Sequence, residues 1–172
     1  MWTFYINKLT WDESDRIVQL VQMYDQGEKL DVKNEKQIEL LLTLFAWILT
    51  STNRWLRDNT SKAMIEILKG YCDLCKPLLE KYKDVNDPYV LQRLYSVMFG
   101  ACCKRTTGSL KELAEYIYET VFYQDKVYPD ILFRDYARLI IEKFLAEEPG
   151  NEGIINRERK LFHHMIPIRY RK

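Results

Sequence analysis

Apolar residues recur along this chain at intervals of three and four positions, the spacing of a helix that packs one face. Between positions 12 and 26, Ile17, Leu20, Val21 and Tyr24 make such a stripe, and Gly27 supplies a stop. Positions 34–51 carry two stripes: Ile38, Leu41, Leu42, Phe45, Ile48 and Leu49 on one face, and Leu40, Leu44 and Trp47 on another. A helix apolar on most sides is expected to be covered on most sides, so this one reads as an inner helix. Leu56, Thr60, Ala63, Met64, Ile67 and Leu68 form the next stripe, which Gly70 ends. A shorter helix is expected over 71–84. Asp87-Pro88 then opens another, with aspartate at the cap and proline in the first turn, and it carries Leu91, Leu94, Tyr95, Met98, Ala101 and Cys102. Gly108-Ser109 precedes Leu110, Leu113, Ala114, Ile117 and Val121, and a last strong pattern runs over 130–147 before Pro149-Gly150. Only in the first ten residues does a strand, "WTFYI", compete with a helix.

Set on their candidate caps, Asn53, Asp87 and Asp130, three of these helices align. Ala63, Val97 and Ile140 then coincide, as do Met64, Met98 and Ile141. Helix pairs that return at intervals of roughly 40 residues mark an α-solenoid. The expected fold class is therefore all-α, an α-α superhelix of HEAT/armadillo-like helical repeats. A single domain is expected over 1–172, with a repeat core at 34–147, inner helices at 36–50 and 89–104, and a basic tail at 153–172.

Composition narrows the function classes. The chain of 172 residues is long enough for one sizeable core. Charged residues make up 30% of it yet leave a formal charge of +1, which argues against a dedicated nucleic-acid binder. Twelve tyrosines exceed what the packing stripes require, and tyrosine is favoured at interfaces. The longest apolar run, 40–49, is about half the ~20 residues that a membrane-crossing helix needs. "MWTFYINKLTWDESD" lacks the basic start, apolar stretch and cleavage site of a signal peptide. A cytoplasmic protein with reduced cysteines and no membrane partner is the expectation.

Three phrases, "LTSTNRWLRDNTSKAMIEIL", "VNDPYVLQRLYSVMFGA" and "ILFRDYARLIIEKF", resemble consecutive signatures in the helical-repeat region of large bacterial antiviral STAND NTPases, the Avs group. The resemblance covers positions 37–144 and lies in the order and spacing of the phrases. It implies an array of helical repeats that senses a phage protein of the terminase or portal class. In that family a P-loop NTPase module precedes the array, and an N-terminal effector becomes active on oligomerisation. The chain departs from the whole-family pattern in two ways. "TTGSLKEL" lacks the second glycine of G-x-x-x-x-G-K-[ST], and the length leaves no room for an effector. The resemblance thus implies a sensor fragment or free-standing relative, with neighbouring repeats of a longer chain as further partners and no ATP-binding role.

Arg57-Asp58 and Arg134-Asp135 recur at equivalent points of two helices. An acid–base role would need both aspartates in one pocket. Placement in separate repeats favours a structural role, each aspartate accepting hydrogen bonds from an arginine or from helix-start amides, with Asp87 serving the helix between. Cys72, Cys75, Cys102 and Cys103 invite a zinc site, but adjacent cysteines on a helix point about 100° apart. Buried small hydrophobes are the expected role of all four. A redox C-x-x-C would need a βαβ context that this pattern lacks. His163-His164 have no accompanying metal motif, and no serine lies in a G-x-S-x-G elbow. No catalytic, metal or cofactor-binding residue is expected, and no cofactor.

Two functional readings remain at this level. Tyr116, Tyr118 and Tyr123 fall off the Leu110–Leu113–Ile117–Val121 face and are the expected partner-binding residues. They point to a non-catalytic protein-recognition module. The alternative is a nucleic-acid-binding HEAT-like repeat protein, in which Arg157, Arg159, Lys160, Arg169, Arg171 and Lys172 of the tail act as an arm. Salt dependence separates the two, because phosphate contacts release counterions.

Overall fold

A computed structural model describes residues 15–25, 34–124 and 128–149. The described residues form seven α-helices and no strand. These are α1 (Arg16–Asp25), α2 (Glu35–Ile48), α3 (Arg54–Leu68), α4 (Cys75–Tyr82), α5 (Pro88–Lys104), α6 (Lys111–Ile117) and α7 (Ile131–Glu147). A 3₁₀ turn, Cys72–Leu74, leads into α4, and a π-helical turn, Tyr118–Phe122, continues α6. The strand alternative at 1–10 and the basic tail at 153–172 lie outside the described residues.

Asp15 accepts from Ile17 N at 2.8 Å at the start of α1, and four further helices start where an extended polar cap residue can occupy an orphan amide. Asn34 accepts from Lys36 N at 3.0 Å and Asn53 from Leu56 N at 3.1 Å. Asp87 accepts from Tyr89 N and Val90 N at 3.0 and 3.2 Å, and Asp130 from Phe133 N at 2.8 Å. Each of these four cap residues is extended while its side chain replaces a missing intrahelical acceptor.

The helices pack in two sets. α1 lies on α3, α3 on α5 and α5 on α7, while α2 lies on α4 and α4 on α6. The sets meet through α2 on α3, α4 on α5 and α6 on α7. Between them Phe45, Leu56, Met64, Leu94, Met98, Ile140 and Phe144 are fully buried in one continuous core. The expectation that α2 is covered on most sides does not hold among the described residues. Leu40 is 56% exposed and Trp47 52%, because α3 and α4 take up only the Ile38–Leu42–Phe45 face and the Thr43 side. Thr43 is the polar contact with α4, accepting from Lys81 Nζ at 3.0 Å while its carbonyl accepts from Tyr82 Oη at 2.9 Å.

Candidate functional site

The first Arg-Asp pair does not pair with itself. Arg57 Nη1 donates to the Ser51 carbonyl at 2.6 Å, and its guanidinium lies 5.2 Å from the centre of the Tyr89 ring on α5. Asp58 accepts instead from Arg93 Nη1 of α5 at 2.7 Å and meets Arg54 Nε at 3.5 Å. Arg93 also donates from Nε to Tyr89 Oη at 2.9 Å, with its guanidinium 5.3 Å from the same ring. Tyr89 therefore has an arginine from each helix against it, a cation–π arrangement. Partial burial raises the Asp58 carboxyl pKa, but the hydrogen bonds and charges of Arg93 and then Arg54 outweigh it and hold the group below its ordinary value.

The second pair is arranged differently. Arg134 Nε donates to the Asp130 carbonyl at 3.4 Å, and Asp135 accepts from Arg138 Nη2 at 2.8 Å within α7. Asp87 caps α5. α5 lies between α3 and α7, so Asp58 and Asp135 stand on helices separated by a third, each with an arginine beside it. Arg54 and Arg93 were not singled out in the sequence, and Tyr89 was read only as one of the tyrosines in excess of the packing stripes. The Tyr89–Arg93 spacing of one helical turn was a visible signal for that contact.

Of the three candidate partner-binding tyrosines, Tyr118 is corrected. It is only 3% exposed, on the buried face with Leu113, Ala114, Ile117 and Val121. The cause is ordinary helical spacing: Tyr118 follows Ala114 by four residues, its amide bonds to the Ala114 carbonyl, and its side chain falls on the same face as Ala114. The chain widens into a π-turn only beyond it, where Tyr123 N bonds back to Tyr118 O at 2.9 Å. Tyr123 is 68% exposed, its ring 6.1 Å from that of Tyr118. Tyr116 is half-buried, and burial, followed by the charges of Glu80 and Asp84, raises its hydroxyl pKa.

Cys72, Cys75 and Cys102 are buried, as small hydrophobes would be, whereas Cys103 is exposed on the outer side of α5. No group of three or more ligand side chains among the described residues could hold a metal ion. His163 and His164 lie outside the described residues. No described helix is long and apolar enough to cross a membrane. Comparison with protein-family profiles, curated proteins and solved structures finds no match to the chain.

Proposed function

We propose that this chain is a non-catalytic protein-recognition module, an α-α superhelix of HEAT/armadillo-like pairs. It would serve as the sensor region of a cytoplasmic bacterial antiviral STAND NTPase. The superhelical reading is supported by the order of packing, in which each helix of a set lies on the next one in the chain. The antiviral assignment and the choice of a phage terminase or portal protein as partner rest on the resemblance of the three sequence phrases.

The observation that carries a recognition role is the distribution of exposed apolar side chains. Leu40 and Trp47 stand on one face of α2. Tyr123, Ile131 (70% exposed) and Leu132 (54% exposed) lie close together in the chain where α6 gives way to α7. Large apolar side chains in water are favourable when a partner covers them, and tyrosine and tryptophan are prominent binding anchors. Arg54, Arg57 and Arg93 of α3 and α5 already have acidic or carbonyl partners, which favours protein recognition over nucleic acid. Pull-down of purified terminase and portal proteins by the intact chain tests the proposal. Capture of either supports it, while capture of neither, together with retention on duplex DNA, moves the assignment to nucleic acid.

A further inference from the structure

Tyr89, in the first turn of α5, is 41% exposed yet lies among the arginines of two helices. Arg93 Nε donates to its Oη at 2.9 Å, and the guanidiniums of Arg57 and Arg93 lie 5.2 and 5.3 Å from its ring centre. Arg54 of α3 joins them through Asp58, its side chain 86% exposed and its Nε 3.5 Å from that carboxylate. Tyr71 and Tyr123 are at least as open to solvent, but among the described residues no arginine lies over either ring. The chain leading into Tyr89 is open as well, since Lys83, Asp84, Asn86 and Pro88 are exposed.

The cations of this seam are not fully matched. Asp58 answers both Arg93 and Arg54 with a single carboxylate, and the Asp87 carboxylate is turned to the amides of Tyr89 and Val90. Arg57 meets the Ser51 carbonyl through Nη1, while its Nε is buried without a hydrogen-bond partner. A buried N–H left unpaired is costly, and an anion is the acceptor that satisfies a guanidinium best. A phosphate ester on Tyr89 Oη would begin at the atom that Arg93 already touches. It would bring three acceptor oxygens and a charge of about −1.5 to −2.

We propose that Tyr89 is a phosphorylation site, modified by a protein-tyrosine kinase with ATP, and that Arg93 and Arg57 form the cradle that receives the phosphate. Tyr89 Oη attacks the γ-phosphorus of ATP, and the bond from that phosphorus to the β,γ-bridging oxygen breaks. ADP leaves with the electron pair, and the phenolic proton passes to the general base of the kinase. The dianion then draws Arg93 from the singly charged Asp58, which keeps Arg54, and supplies the acceptor that Arg57 Nε lacks. Phosphorylation thereby exchanges one rung between α3 and α5 for another. The site lies on that seam and does not depend on the recognition role proposed above.

The test places phosphotyrosine at position 89 of the intact chain by genetic encoding and titrates the phosphate by phosphorus NMR. The same group at position 123 is the reference. A phosphotyrosine free of partners takes its second ionisation at about pH 6, and the acid dissociation constant at position 89 is expected to be at least tenfold larger than at 123. Arg93→Gln should remove most of that difference, and Arg93→Lys should keep part of it; if neither variant folds, the comparison of the two positions decides. Wild-type chain incubated with ATP and a purified tyrosine kinase domain should carry phosphate at Tyr89 on peptide mapping, with the same peptide unmodified in Tyr89→Phe. Equal dissociation constants at positions 89 and 123 would overturn the proposal. So would kinase modification confined to other tyrosines, or none at all.

Discussion

Asp58 of α3 and Arg93 of α5 meet at 2.7 Å, so the acid of one helix is held by the base of the next helix in its set. Further along the same seam Glu66 of α3 meets Lys104 of α5 at 2.8 Å. Between these two ion pairs Ile65 lies on Gly100, whose missing side chain leaves room for it: a Cβ there would be 2.7 Å from Ile65 Cδ1. Ion pairs at both ends set the register, and the apolar contact between them sets how closely the helices approach.

The Asp58 pair is not deeply buried, since its side chain is 38% exposed. Asp58→Ala should therefore cost under about 1 kcal/mol, in the range of surface ion pairs and not of buried ones. Urea unfolding of the variant checks this. A loss of several kcal/mol would mean that the Asp58–Arg93 contact is desolvated far more than its exposure indicates.

Glu66 gives the α3–α5 seam an acid-sensitive component. Hydrogen bonds from Lys104 and then Lys69, against a smaller effect of burial, lower its pKa in the folded chain. A carboxyl lowered on folding adds stability above its unfolded pKa of about 4.3, and that stability is lost as pH falls through the lower folded value. The stability difference between wild type and Glu66→Gln should thus be largest above about pH 4.3 and shrink on acidification below it. Chemical denaturation repeated across the acid range reads this. A difference that stayed constant through that range would remove Glu66 from the account.

Tyr118 and Tyr123 should separate stability from recognition. Tyr118→Ala empties a buried site and is expected to cost roughly 3–5 kcal/mol, as large aromatic truncations do. Tyr123→Ala, at an exposed position, should stay within about 0.5 kcal/mol of wild type. Thermal melts of the two variants side by side would reverse this assignment if Tyr123→Ala were the more damaging.

Gly108 has a left-handed backbone, φ 81°, and lies against Asp73. Gly108→Ala should cost about 1–2 kcal/mol from the backbone alone. Asp73→Ala should relieve the clash but not the backbone cost, so the double variant should recover only part of the loss. Full recovery would place the whole effect in the side-chain contact.

The parts of this fold governed by neighbours in sequence were readable in advance. Asn34, Asn53, Asp87 and Asp130 each cap a helix because the amides they serve are two or three residues away. Arg57 and Asp58 were misleading as a pair, because adjacent residues diverge on a helix and their partners, Tyr89 and Arg93, belong to α5. Tyr118 was misplaced although its spacing was legible, since it follows Ala114 by four residues and shares its buried face. The exposure of Leu40 and Trp47 depends on which neighbours flank α2, and an apolar pattern does not specify them.

The central claim is recognition of a protein through exposed apolar side chains around Tyr123. Equilibrium binding of the intact chain to purified phage terminase and portal proteins, wild type beside Tyr123→Ala and at low and moderate salt, tests it most directly. The account predicts binding to one of them that changes little with salt and weakens at least tenfold, about 1.4 kcal/mol, in the variant, with the thermal midpoint unchanged. Equal binding by both chains, or binding that collapses with salt and transfers to DNA, would contradict it.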